Sequence, residues 1–364
     1  MKKVILLLIL AIGFGGCSAP DFRAADETIQ DAIEDRIFPG AVLLVGDSEK
    51  ILYEKAYGKY TYAADAKKVT PASLFDLASL TKVFATSMSV MKCIDSGLVD
   101  PEAYVVEYLP EFDNNGKDHI RVKHLLLHNS GLPAYETPAD TPEKTLERIM
   151  QVPMTQELGE YKYSCLNFIT LMRVVEAASG KKMRDFYREH FTEPMELKNT
   201  FFAPPPPLRE KCLPTAGDSS GTEILLQGVV HDPLARSLEG YSGNAGLFST
   251  ASELSAFCRL IMNDGMYEGC RYVREATVQP FVTLQANGRC YGWSVNGKGS
   301  AAGSRMSATA IGHTGYTGTC AWIDRENDVF VILLTNRVYP LDQKAVNPVR
   351  RAVNDAVMKA LSGA

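Results

Sequence analysis

Apolar and polar positions along this chain follow three regimes. From 26 to 36 the apolar residues recur at helical spacing, which predicts an amphipathic helix with Gly40 marking its end. Two β-rich runs follow, 41–46 and 51–57, separated by the polar Asp47-Ser-Glu-Lys50, the pattern of a hairpin. The middle then turns helical or loop-like. An apolar helix starts within Phe75-Asp-Leu-Ala-Ser-Leu-Thr-Lys82 and ends near Gly97, and further helical patterns cover 122–127, 141–150, 166–178, 183–191 and 253–262. Thr250-Ala-Ser-Glu253 reads as a capping box, and 204–207 as a stiff polyproline spacer. Strand patterns return at 291–295, 318–324 and 328–335, with Arg325-Glu-Asn327 as the turn between the last two, before a final helix from about 343 to 361. Strands at both ends with helices between them predict an α/β (α+β) fold: an antiparallel sheet built from both chain ends, flanking helices and a mostly helical insertion, with the active site in the cleft between. The sequence shows no internal repeat.

Composition adds an address. With 364 residues, 46% of them hydrophobic, the chain can bury a substantial core. Residues 1–16 combine Lys2 and Lys3 with a short apolar run, a signal-peptide pattern too short for the roughly 20 residues a membrane span needs. Phe14-Gly-Gly-Cys17 resembles a bacterial lipoprotein cleavage box, which makes Cys17 the lipid-bearing residue, 17–25 a tether, and the location a periplasmic, lipid-anchored one in the bacterial cell envelope. A secretory signal with an incidental cysteine is the alternative. The catalytic unit is then 26–364, its sheet part 26–75 and 286–364 and its helical part 76–285. Losing the two leader lysines moves the formal charge from −5 to −7, with no basic stripe downstream, so nucleic acid is not an expected partner. Seven further cysteines, without a C-x-x-C pair or a Cys/His cluster, argue for buried free thiols and against a metal site. Neither a cofactor nor an obligate protein partner is indicated.

The candidate chemistry starts at Ser79 and Lys82. Three residues are close to one helical turn, so the hydroxyl and the amine share a face and can touch, and the partial positive charge of a helix N-terminus together with burial pushes the lysine toward its neutral, proton-accepting form. Ser-x-x-Lys also occurs at Ser89/Lys92 and Ser179/Lys182. Ser89 falls mid-helix and Ser179 precedes Gly180 at a helix end, so only Ser79 stands at a helix start. Taken alone, Ser79 is equally an N-cap. Tyr163, in Gly159-Glu-Tyr-Lys-Tyr163-Ser-Cys165-Leu-Asn167, serves as a general base if a cation such as Lys82 lies beside it, and is otherwise a half-buried aromatic. Ile311-Gly-His313-Thr-Gly315-Tyr-Thr-Gly318 is either a glycine-lined edge strand along which substrate lies, with His313 and Thr314 facing it, or a bulge bearing a surface histidine. His124 and His128, at i and i+4, fit one helix face, but without a zinc-protease glutamate between them they and His231 read as structural.

The order and separation of the three stretches, 84 residues from Ser79 to Tyr163 and 150 more to His313, resemble the serine β-lactamase and penicillin-binding-protein superfamily, on its class C β-lactamase, esterase and D-aminopeptidase branch. Arg121-Val-Lys-His-Leu-Leu-Leu-His-Asn-Ser-Gly-Leu-Pro133, His231-Asp-Pro233, Ser242-Gly-Asn-Ala-Gly-Leu-Phe-Ser-Thr250 and Leu334-Thr-Asn-Arg337 look like it too. The resemblance implies Ser79 as acylated nucleophile, Lys82 as its proton acceptor, Tyr163 as proton relay, and an oxyanion hole from the backbone N–H groups of Ser79 and Tyr316. It places Thr314 and Gly315 along the substrate. Two positions depart from the family pattern. Cys165 stands where Y-x-N has its amide, with Asn167 two residues on, and His313 replaces the lysine of K-T-G. A thiol is a poor partner for a substrate amide, and an unperturbed histidine, with a pKa of about 6.5, holds a carboxylate less firmly than a permanent cation. The resemblance therefore implies a serine hydrolase for a small-molecule or peptidoglycan-derived ester or amide of cell-wall or D-amino-acid type. The alternatives are a class C-like β-lactamase and a penicillin-binding sensor that deacylates slowly.

Overall fold

The computed structural model describes residues 20–218, 224–342 and 344–363, so the leader and Cys17 lie outside the described residues. Helix α1 (Arg23–Glu34) leads into strands β1 (Gly40–Gly46) and β2 (Ile51–Gly58), the hairpin read from the sequence. Gly40 is the first residue of β1 and not the helix stop; α1 closes through Arg36 in the left-handed region at φ 55°. The helical part contributes α2 (Ser87–Asp95), α3 (Cys165–Ser179) and α4 (Ala251–Met262). The chain returns as β3 (Ser294–Val295), β4 (Ile311–Thr314), β5 (Cys320–Asp324) and β6 (Val329–Thr335) and ends in α5 (Asn347–Ser362). The six strands form one antiparallel sheet in the order β3-β4-β5-β6-β1-β2, joining the two chain ends as the pattern predicted.

Strands β1 and β6 are buried on both faces because the sheet separates two cores. Val42 and Leu44 with Phe330, Ile332 and Leu334 face the helical part, while Ala41, Leu43 and Val45 with Val329, Val331 and Leu333 face the layer of α1 and α5. That alternation, period two on two apolar faces, explains why these segments read as continuous apolar runs.

Several details differ from the sequence reading. The 183–191 pattern splits into an α-helix, Met183–Tyr187, and a π-turn, Arg188–Thr192. The proline run is only partly extended, since Pro206–Arg209 forms a short helix that tolerates proline in its first turn. The 291–295 strand shrinks to β3 because Trp293 is drawn fully into the core and the Gly292 N–H bonds to the Leu126 carbonyl. The final helix starts at Asn347, not near 343. Thr250 caps α4 by accepting from the Glu253 N–H, but the Glu253 carboxylate does not close the box: it accepts from the Asn199 backbone and side chain and from Thr200. His124 and His128 share no helix face, since that helix is Val122–Leu126 and His128 lies beyond it at φ 56°. A small sheet of Phe75–Asp76, Leu247–Ser249 and Phe201–Phe202 was not foreseen. Two-residue strands leave no periodicity to read.

Candidate active site

Ser79 sits in the turn that joins strand Phe75–Asp76 to a helical stretch over 80–95, whose first turns, Lys82–Thr86, are wound as a π-turn before α2. The two other Ser-x-x-Lys serines are occupied elsewhere, Ser89 Oγ on the Ala85 carbonyl at 2.9 Å and Ser179 Oγ on the Val175 carbonyl at 2.7 Å. The turn is held from below by Asp76, whose buried carboxylate accepts from the Ala78 N–H (2.9 Å) and the His231 N–H (2.7 Å) and keeps Ala78 at φ 47°, a left-handed conformation costly for alanine.

Lys82 is fully buried, and its Nζ donates to Ser79 Oγ at 3.0 Å, to the Asn244 carbonyl at 2.9 Å and toward Cys165 Sγ at 3.6 Å. Three acceptors around one nitrogen match the three N–H bonds of an ammonium. Burial lowers the pKa of this lysine, but Cys165, Tyr163 and Asp232 raise it, and the balance is upward. The expected drift toward a neutral amine is therefore reversed: the interactions with Cys165, Tyr163 and Asp232 outweigh burial, and the resting side chain is a cation. Asn244, within the Ser242–Thr250 stretch, is a functional contact made by a backbone carbonyl, which no residue-type signal in the sequence reveals.

Tyr163 precedes the N-cap Ser164 of α3, and Lys82 Nζ lies 5.1 Å from its ring centroid. The stretch from 128 to 130 is its cradle. The His128 ring lies 4.6 Å from that of Tyr163, its Nδ1 accepts from the Ser164 N–H, and the carbonyls of His128 and Asn129 take the N–H groups of Lys162 and Gly159. Burial, then Arg289 and Lys82, hold the His128 pKa well below the ordinary value, so it is a neutral buttress. Asn167 does not face substrate. It is fully buried inside α3, accepting from Ser130 Oγ at 2.6 Å and lying 3.3 Å from His128 Nδ1, because a helix that begins at Cys165 turns it into the core. Cys165 contacts Lys82 and is not among the residues lining the cavity described below.

His313 goes further in the direction its side chain implies. Its ring lies 5.9 Å from that of Tyr163, and its Nδ1 is 2.9 Å from the Thr314 carbonyl, which assigns the Nδ1–H tautomer. Burial, then Arg289 and Lys82, press its pKa well below 6.5. It is thus a neutral acceptor beside the site and not a weak cation for a carboxylate. The turn after β4 is stitched to the nucleophile's segment, with Thr317 Oγ1 donating to the Asp76 carbonyl (2.8 Å) and Thr319 Oγ1 to that of Leu77 (3.1 Å). Among the described residues neither the Ser79 nor the Tyr316 N–H bonds to a backbone carbonyl, so both are free to receive an oxyanion. Ser79, Tyr163, His313, Thr314, Gly315 and Tyr316 line one cavity of about 450 Å³. Arg289, Arg337 and Arg350 line it as well, with no acidic side chain; Arg337 closes the Leu334–Arg337 stretch, while Arg289 and Arg350 carry no local sequence motif.

Asp76 yields a prediction. Burial raises its pKa from 3.8 to about 6, against the pull of its two N–H partners. A carboxyl that binds its proton more tightly folded than unfolded favours the fold while protonated, and that contribution is lost as pH rises from about 4 through 6. Relative to the native chain, Asp76→Asn is expected to gain up to about 3 kcal/mol across that window. Urea unfolding of both proteins at pH 4 and pH 7 checks it, and a pH-independent difference refutes it.

A model of the family described as Beta-lactamase matches residues 25–355, which takes in every element of this site. The chain belongs to that family. An N-acetylmuramyl-L-alanine amidase of Bacillus subtilis (strain 168) is 31% identical, the match covering 91% of this chain and 84% of the relative. A protein of Escherichia coli (strain K12), put forward by its name as a D-alanyl-D-alanine carboxypeptidase, is 29% identical over 85% of this chain and 81% of its own. In three dimensions, a penicillin-binding protein homolog from Caulobacter crescentus superposes with a TM-score of 0.78 at 18% identity, covering 95% of this chain and 99% of that one, and establishes the β-lactamase-like fold.

Proposed function

We propose that this Beta-lactamase family member is a serine hydrolase that acts through an acyl-enzyme on Ser79, taking an ester or amide of cell-wall or D-amino-acid type. The observation that carries the reading is the 3.0 Å contact between a buried Lys82 and Ser79 Oγ, with Ser79 lining the same cavity as Tyr163. Lys82, as an ammonium, aligns and polarises the hydroxyl. Ser79 Oγ attacks the substrate carbonyl, the oxyanion rests on the Ser79 and Tyr316 N–H groups, and the serine proton leaves by way of Lys82 and Tyr163 to the departing amine or alcohol. Water then attacks the acyl-serine, and its proton returns to Ser79 by the same relay. The cell-wall assignment draws on the names of the amidase and carboxypeptidase relatives and on the lipoprotein-like leader, which puts the work in the cell envelope at a membrane surface.

A slow-deacylating or β-lactam-hydrolysing protein is the second reading, and Cys165 is what favours the slow form: it sets a thiol, a weak hydrogen-bond partner, 3.6 Å from the Lys82 Nζ that deacylation relies on. Incubation with a short-chain nitrophenyl ester and with a chromogenic cephalosporin, with intact mass followed in time, separates the two. Ester turnover with a transient adduct mapping to Ser79 is the expected result. A persistent adduct selects the slow form, and turnover with no acyl-Ser79 at any time removes the proposal.

A further inference from the structure

The described residues include seven cysteines, all free thiols, and their surroundings differ. Cys93, Cys212, Cys258, Cys290 and Cys320 are buried, and Cys270 is exposed on the hairpin 266–271. Cys165 is only partly buried and has a cation at its sulfur: Lys82 Nζ donates toward Sγ at 3.6 Å, while its other two N–H bonds go to Ser79 Oγ (3.0 Å) and the Asn244 carbonyl (2.9 Å). The residue also opens α3, a helix of 15 residues, so the positive end of the helix dipole stands on the same sulfur. In the hydrolytic steps above Cys165 forms and breaks no bond. A reachable thiol between an ammonium and a helix N-terminus is the setting in which cysteines react with oxidants.

We propose that Cys165 is an oxidation site that couples the hydrolase to peroxide: hydrogen peroxide converts the thiol to a sulfenic acid, and the new oxygen draws Lys82 away from Ser79. This rests on the hydrolase reading above and adds the regulation of that site. The sulfur attacks one peroxide oxygen, the O–O bond breaks, and the departing hydroxide leaves as water with the thiol proton. One thiol and one peroxide thus give one sulfenic acid and one water, sulfur losing the electron pair that peroxide gains. Lys82 assists because its N–H groups stabilise the charge developing on the departing oxygen. The consequence follows from the acceptor count. The thiol is the weakest of the three acceptors around Nζ, whereas an oxygen bonded to that sulfur can stand between it and Nζ and accept a charge-assisted hydrogen bond. Ser79 then competes for its polarising contact, and the proton relay loses its first station. Two equivalents of a small thiol reverse the step, giving a disulfide, water and the original Cys165 thiol.

Peroxide titration of the native protein tests this, with ester turnover, intact mass and peptide mass followed in the presence and absence of dimedone, which traps sulfenic acids. We expect turnover to fall by at least about a hundredfold at full modification, in step with a dimedone-reactive adduct on Cys165, and to return with dithiothreitol when dimedone is omitted. Cys165→Ser, compared with its own untreated rate, is expected to keep that rate within about twofold at the same dose, and Cys165→Ala serves where the serine variant fails to fold. Cys270→Ser is expected to be inactivated as the native protein is. No label on Cys165, label without loss of turnover, or inactivation of the Cys165 variants equal to that of the native chain overturns the assignment. Absence of ester turnover and of acyl-Ser79 in untreated protein defeats the hydrolase reading instead. The oxidation site then stands or falls on labelling alone, which must map to Cys165 and slow by at least about tenfold in Lys82→Met.

Discussion

Ser79→Ala and Lys82→Met each lower kcat/KM for a nitrophenyl ester by about a thousand- to ten-thousand-fold, and the double variant loses no more than the worse single one. The reason is the shared hydrogen bond. Lys82 Nζ touches Ser79 Oγ at 3.0 Å, and its remaining N–H bonds go to a backbone carbonyl and a thiol, so its chemical task runs through the serine. Methionine fills a comparable volume beside the Phe168 ring, 5.9 Å from Nζ, and leaves the Asn244 carbonyl without its donor, a penalty of about 1–3 kcal/mol that the melting temperature reports separately from activity. Losses that multiply in the double variant show two independent contributions and dissolve the pair.

The upward pKa of Lys82 bears on how that pair works. A lysine raised by Cys165, Tyr163 and Asp232 is an ammonium throughout neutral pH; in the proposed acyl-enzyme mechanism it orders Ser79 Oγ before substrate arrives and passes a proton only when negative charge develops in the transition state. This is preorganisation and not a standing base, and it demands a second group to carry the proton onward. Tyr163, with its ring 5.1 Å from Nζ on one side and 4.6 Å from the His128 ring on the other, is the group so placed.

Much of this was legible in the sequence, and the parts that were not share a cause. The hairpin β1–β2, the return of strands β5 and β6 and the helix behind Ser79 all follow from long periodic patterns, and the Ser79–Lys82 contact from helical spacing. Lys82's charge state was misread because burial and a helix terminus are local, whereas Cys165 and Asp232 arrive from 83 and 150 residues away. For His313 the direction was legible, a ring mostly neutral above pH 7, but its extent was not: its sequence neighbours do not disclose that the fold buries it beside two cations. Asn167 was placed at the substrate by spacing from Tyr163, and the start of α3 at Cys165 turned it inward. The Asn244 carbonyl left no trace, since it acts through the backbone.

Gly315→Val is expected to cut kcat for ester hydrolysis by about a hundred- to a thousand-fold while KM changes little. A Cβ at this position would stand 2.1 Å from Thr319 Oγ1 and 2.5 Å from the Leu77 carbonyl, so the turn after β4 cannot keep its distance from the nucleophile's segment. The same two atoms form the Thr319–Leu77 hydrogen bond, and the Gly315 N–H bonds to the Thr319 carbonyl at 2.7 Å, so displacement breaks the stitching between the segments that carry the Tyr316 and Ser79 N–H groups. Stability falls less, by about 1–3 kcal/mol, because the turn lies at the end of the sheet and the two cores on either side of β1 and β6 are untouched. The split between kcat and KM is the discriminating quantity. A variant that binds normally, still accepts an acyl group on Ser79 and does so slowly has lost transition-state charge stabilisation alone. Wild-type kcat in Gly315→Val shows instead that the oxyanion is held elsewhere, and the Tyr316 N–H loses its role with it.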